Sequence, residues 1–208
     1  MSQQTRNQII RAAEVLFARK GYAATSVREI TEAAGVNIAA VNYHFGSKEN
    51  LLIEILDRVV SPVNAERLKL LDELEAQDTP SVEDVLSAFL FPDLRILDEL
   101  RRRDPELPRF VSRMYSEGSE FMSRVKGHQF GEIQDRFLAA FGNVLPHLNR
   151  EEIEWRLHCV VGIVLYLFAG VDAPGVGSLA GPDPERTLTR LLNVSSPMMS
   201  APLPVRED

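Results

Sequence analysis

The chain has 208 residues, room for one small and one larger domain, with the 45% hydrophobic and 25% charged fractions of an ordinary globular protein. Its net charge of −7 excludes a uniformly basic nucleic-acid binder, and its single cysteine, Cys159, excludes an internal disulfide framework and fits a reducing compartment. The polar N-terminus reads as no secretory leader, and the longest apolar run, Leu157–Val171, is shorter than the roughly 20 residues of a bilayer span; a cytoplasmic protein with no membrane partner is expected.

Helical periodicity governs the chain. A first helix is predicted over about Gln4 to Lys20, with Ile9, Ile10, Ala13, Leu16 and Phe17 on one stripe and Gly21 ending it. Ser26, with Glu29 three residues on, makes a capping box for a second helix from about Val27, closed by Gly35 as a left-handed residue with Val36 behind it. Asn37 then reads as the N-cap of a third helix, about Ile38 to Phe45, stopped by Gly46. Helix, short Gly-containing turn, helix is the helix-turn-helix arrangement, whose second helix enters the DNA major groove. Residues 1–50 carry +2 and the remainder −9, so only the N-terminal segment is fit to approach phosphates.

Ser47 caps the next helix, in which Pro62 predicts a kink or interruption. Asp78-Thr79-Pro80 reads as a loop, and Ser81 opens a helix bearing Val85, Leu86, Phe89, Leu90 and Leu94, with a second kink expected at Pro92. Arg101 to Pro108 reads as a polar linker, with Arg101, Arg102 and Arg103 a solvated turn. Helices are expected over about Arg109–Lys126 and Phe130–Phe141, then from a cap at Asn149 to about Val171, and from Asp183 and Pro184 through Leu192. The Gly- and Pro-rich Ala173–Pro182 segment reads as a loop, and the tail from Ser195 as frayed.

Several runs, quoted as they stand, resemble the TetR family of bacterial transcriptional regulators: Ala12 to Phe17, Lys20-Gly21-Tyr22, Thr25 to Ile30, Ala34-Gly35-Val36 and Tyr43 to Leu52. Within it, Asn37 to Phe45 is similar to the branch of fatty-acid-responsive PsrA-type regulators. The resemblance implies a homodimer with two DNA-binding heads, a helical ligand-binding body, and ligand-controlled release of DNA; a change in head separation is the expected mechanism. Asn42 departs from the family pattern, where a tyrosine is usual, and is expected to read a base instead of a phosphate.

The expected DNA contacts are Ser26, Arg28, Asn37, Ile38, Ala39, Asn42, Tyr43, His44 and Lys48. Asn can pair bidentately with adenine, Ile38 or Ala39 can meet a thymine methyl, and Tyr43, His44 and Lys48 suit phosphates. Arg28 has a competing use, since Glu32 lies four residues on. In the body, Phe89, Phe110, Met114, Phe121, Trp155 and Tyr166 are candidate walls of an apolar effector cavity, each competing with an ordinary core role. The helix through Leu157–Val171, joined by Leu188, Leu191 and Leu192, is the expected dimer interface.

His44, His128, His147 and His158 are scattered, and neither a phosphate loop nor a nucleophile elbow occurs, so neither catalysis, a metal nor a cofactor is expected. The reading is an all-α homodimer: a three-helix helix-turn-helix head, residues 1–47, on a larger helical bundle, residues 48–208. Its expected role is a repressor in the nucleoid-bearing cytoplasm. It binds a palindromic double-stranded operator and is released by an apolar small molecule such as a fatty acid or acyl-CoA. The alternative is a helical small-molecule-binding or scaffold protein with vestigial DNA binding.

Overall fold

A computed structural model of the chain describes residues 3–77, 79–116, 120–170 and 183–203, without the side chains of 120–126, 128 and 129. Among these residues every regular element is helical: α1 (Gln3–Lys20), α2 (Val27–Ala34), α3 (Ala39–Phe45), α4 (Lys48–Glu75), α5 (Val82–Arg103), α6 (Leu107–Ser116), α7 (Glu120–Val144), α8 (Arg150–Ala169) and α9 (Pro184–Ser200). The expected loops at Asp78 and Ala173–Pro182 fall, for those residues, outside the described chain.

Helices α1–α3 form the head. Phe17, Ile30 and Val41 are wholly buried there, and Leu51 and Leu52 of α4 join the same apolar cluster, which continues through the body as far as Met199. A three-helix unit alone buries too little apolar surface to be stable, and α4 makes up the difference. Two further ties fasten the head to the body. The rings of Phe17 on α1 and Phe110 on α6 stack at 6.2 Å. The buried Glu14 carboxylate accepts from Arg103 at 2.9 Å across the same joint.

Helices α4 and α5 run without interruption through Pro62 and Pro92, because each proline removes one hydrogen bond while Val59, Val60, Val63, Leu90 and Leu94 keep the turns around it packed. Three local expectations are corrected. Arg101–Arg103 is the last turn of α5 and not a linker. Arg101 donates to the Leu167 carbonyl at 3.2 Å and Arg103 to Glu14, so two of the three arginines hold neighbouring helices. The break between the next two helices falls before Glu120 and not at Gly127, since one glycine costs a helix only about 1 kcal/mol.

The tail is helical through Ser200, with Ser195 and Met199 buried. Arg156, buried on α8, donates through Nη1 to the carbonyls of Met198, Met199 and Ala201, the nearest at 2.6 Å. Those carbonyls lie at a helix C-terminus, where acceptors are left without a helical partner, and the two hydrogens of Nη1 are shared among them.

Candidate nucleic-acid interface and body cavity

The capping box expected at the start of α2 is complete. Ser26 Oγ accepts from Glu29 N–H at 3.2 Å, and Glu29 Oε2 accepts from Ser26 N–H at 2.8 Å and from its hydroxyl at 2.9 Å. Lys20 donates to the other Glu29 oxygen at 2.6 Å, and these bonds, led by that from Lys20, hold the carboxyl down at about 2. At the far end Gly35 (φ 66°) takes the left-handed conformation. Its N–H reaches the Glu32 carbonyl and that of Val36 reaches Thr31, closing α2 and turning the chain into α3.

Helix α3 starts one residue later than expected. Asn37 Oδ1 accepts from Ala39 N–H at 2.9 Å and its carbonyl from Ala40 N–H at 2.8 Å, so that side chain is used in starting the helix. Ala40, Val41 and Phe45 face the core. Ile38, Ala39, Asn42 and Tyr43 stand outward, with Ile38 52% and Tyr43 69% exposed. His44 is half-buried, its ring edge-on to Tyr43 at 5.1 Å. Ser26 and Arg28 are exposed beside α3, Arg28 donating to Glu32 at 2.9 Å in the pairing its spacing allowed.

Lys48 is placed differently from its expected phosphate role. Its ammonium lies 4.1 Å over the Tyr22 ring and donates to the carbonyls of Tyr22 at 3.0 Å and Thr25 at 2.8 Å, pinning the α1–α2 loop to the start of α4. The carbonyls it satisfies carry no side-chain signature, which is why spacing alone could not assign it.

The body holds a cavity of about 450 Å³ among α4, α5, α6, α7 and α8. Phe89 lines it, as expected. Phe110 and Met114 are buried elsewhere, Phe110 at the head joint; Trp155 is 63% exposed and Tyr166 half-buried, and neither lines the cavity. Phe121 lies outside the described side chains. Arg67, not anticipated from the sequence, forms one end of the cavity. Its Nε donates to the Phe89 carbonyl at 2.9 Å, Nη1 to Asn64 Oδ1 at 3.2 Å, and Nη2 to Asp93, while its carbon lies 4.5 Å over the Phe89 ring. Pro92 offers no N–H to the carbonyl one turn back, in the same turn that exposes the Phe89 carbonyl to Arg67. Tyr115 adds a phenol that burial, with the nearby Asp93 charge, pushes well above its ordinary value, keeping it a donor.

Among the described residues no group of three or more His, Cys, Asp or Glu could hold a metal ion, and no helix is long and apolar enough to cross a membrane.

A capped two-helix unit presenting an outward polar and aromatic face, set on a helical bundle with a cavity among its helices, defines a helix-turn-helix protein with a larger helical body. Residues 9–55 match the family described as "Bacterial regulatory proteins, tetR family", and residues 87–201 match "Tetracyclin repressor-like, C-terminal domain". The chain belongs to the TetR family.

The probable HTH-type transcriptional regulator YttP of Bacillus subtilis is 33% identical over 114 residues, 54% of this chain and 51% of that protein. The regulator TtgR of Pseudomonas putida is 45% identical over 56 residues, 27% of each. The chain thus spans about half, or less, of the curated relatives it matches. In fold, the TetR family regulator PfmR from Thermus thermophilus superposes with a TM-score of 0.62 at 20% identity, covering 96% of this chain and 97% of that one.

Proposed function

We propose that the chain is a ligand-responsive transcriptional regulator, a repressor, that binds a palindromic operator as a homodimer through residues 1–47 and is released when an apolar small molecule enters the body, residues 48–208. The observation that carries this reading is the outer face of α3: Ile38 and Tyr43 stay exposed on an otherwise polar surface, where large apolar and aromatic side chains generally have a partner. Asn42 between them can read an adenine edge, with Ile38 and Ala39 suited to thymine methyls and Tyr43 and His44 to phosphates. Arg28 reaches DNA by exchanging Glu32 for it, an exposed pair that costs little to break.

A second copy has a surface to meet. Trp155, Cys159, Gly162 and Tyr166 recur at helical spacing along α8, and Val194 and Pro197 are exposed on α9. Leu191, by contrast, is buried within its own chain, where α9 packs chiefly on α5. Two heads about 34–36 Å apart then read half-sites one helical turn apart.

Helix α6 supports coupling, since Phe110 touches the head and Tyr115 lines the cavity. A ligand that binds better to the state with DNA-incompatible head spacing releases the operator by that difference in affinity. A fatty acid or acyl-CoA is the specific effector the branch resemblance offers; the charges around the cavity weigh against its anionic form. The working compartment is the cytoplasm, at the nucleoid.

Selection from a random-sequence duplex pool tests the reading. An inverted repeat is expected to emerge, and a pool that stays random after several rounds refutes it.

A further inference from the structure

Every charged group lining the cavity, among the described residues, already has an internal counter-ion. Arg67 is held by Asp93, and Glu154 at the rim accepts from Arg150 at 3.0 Å. His158, also at the rim, bonds the Glu154 carbonyl through Nδ1 at 2.8 Å. A carbonyl only accepts, so Nδ1 carries the proton of that bond and cannot take one from a ligand.

The rest of the wall is apolar and aromatic, including Phe89, Phe130, Leu157 and Val161, and two glycines of α7 widen it. A β-carbon added at Gly127 or Gly131 meets no atom within 4 Å. The volume of about 450 Å³ suits a small organic molecule and is short of what a nucleotide-bearing thioester occupies.

We propose that this cavity takes an uncharged, largely apolar ligand carrying one hydrogen-bonding group, which sits at the Arg67 and Tyr115 end. An anion there competes with Asp93 for Arg67 and rests beside a carboxylate. A cation meets the guanidinium at that end, and Glu154, at the rim beside the exposed Arg150, is not there to receive it. At the Arg67 end, where Arg67 itself is buried, neither charge finds a free counter-ion among the described residues, and an uncompensated charge away from water is costly. A neutral acceptor, by contrast, takes a spare guanidinium N–H without disturbing the ion pair, since Arg carries five and three are spent. The inference rests on the reading of this cavity as the effector site and adds the charge class of the effector.

A matched series separates the two levels. Decan-1-ol, decanoate and decyltrimethylammonium share one chain length and differ in charge. Each is titrated calorimetrically at neutral pH into the full chain, Gly131→Leu and Asp93→Asn. Decan-1-ol is expected to bind the natural sequence at least about tenfold more tightly than either ion. Gly131→Leu, whose side chain enters the open space, is expected to lose that binding while melting no lower. Asp93→Asn, which leaves Arg67 without its counter-ion, is expected to reverse the order of alcohol and carboxylate.

Decanoate or the ammonium binding as tightly as the alcohol overturns the charge class and leaves the cavity standing as a site. An unchanged order in folded Asp93→Asn does the same. Failure of all three probes to bind, or equal binding by Gly131→Leu, overturns the effector site itself and the inference with it. Should Asp93→Asn not fold, the ranking in the natural sequence and its loss in Gly131→Leu decide the matter.

Discussion

The head and the body solve opposite problems. The head turns its proposed recognition groups outward: Asn42 and Tyr43 face solvent from a seven-residue helix, and Ile38 from the cap before it. That helix keeps its place because short-range caps at Ser26, Asn37 and Gly35 fix both sides of the turn. The body turns its working groups inward, around a space that no single element encloses. Its polar ties, Arg67 to Asp93 and Arg156 to the end of α9, join residues 26 and more than 40 positions apart. Surface function can therefore be specified locally, whereas a cavity is a property of long-range packing. The two meet at the stacked rings of Phe17 and Phe110, at the Glu14–Arg103 pair and along α4.

The contrast breaks hardest at that joint. Phe17→Ala removes a fully buried ring shared by head and body, and should cost about 3–5 kcal/mol in denaturant or thermal unfolding. A loss confined to surface-mutation size would mean the two regions fold independently. Within the head, Asn42→Ala should leave unfolding unchanged but erode discrimination at one base pair by about 1–3 kcal/mol, read from binding to single-substituted duplexes. Uniform weakening across all sequences would instead assign Asn42 to the backbone. Ser26→Ala should lower stability by about 1 kcal/mol through the lost cap, measured by thermal melting.

The smallest effect is in pH. The Glu29 carboxyl titrates in the folded head at about 2, below its ordinary 4.5. Its contribution is complete above the higher value and should fade as pH drops toward the lower, because the unfolded chain takes up the proton first. Glu29→Gln should flatten that part of the stability–pH curve; an unaltered curve would mean that the bonds from Lys20 and Ser26 do not favour the Glu29 carboxylate in the folded head.

What was legible follows the same division. The helix-turn-helix could be read because capping boxes and left-handed glycines leave their signature within four residues, as at Ser26–Glu29 and Gly35. The structural place of Lys48 was not legible for the opposite reason: its partners are backbone carbonyls of Tyr22 and Thr25, which any residue type would supply. In the body, aromatic residues drew attention to Phe110 and Trp155, yet burial at a joint and exposure on an outer helix face look alike in a periodic pattern. Of the two glycines that line the cavity, Gly127 fell in the break expected between two helices and Gly131 inside an expected helix, and neither position signalled a cavity. The tail looked frayed because Arg156 lies more than forty residues before the carbonyls it caps.

The most direct measurement is fluorescence anisotropy of a selected inverted-repeat duplex, titrated with the natural chain and with Tyr43→Ala over a range of salt. Tyr43→Ala is preferred to a double change with Lys48, whose loss would loosen the head itself. The expected result is affinity falling linearly in log salt for both, with Tyr43→Ala weaker by about tenfold or more and unfolding at the same temperature. Equal affinities for the two proteins would contradict recognition through the outer face of α3.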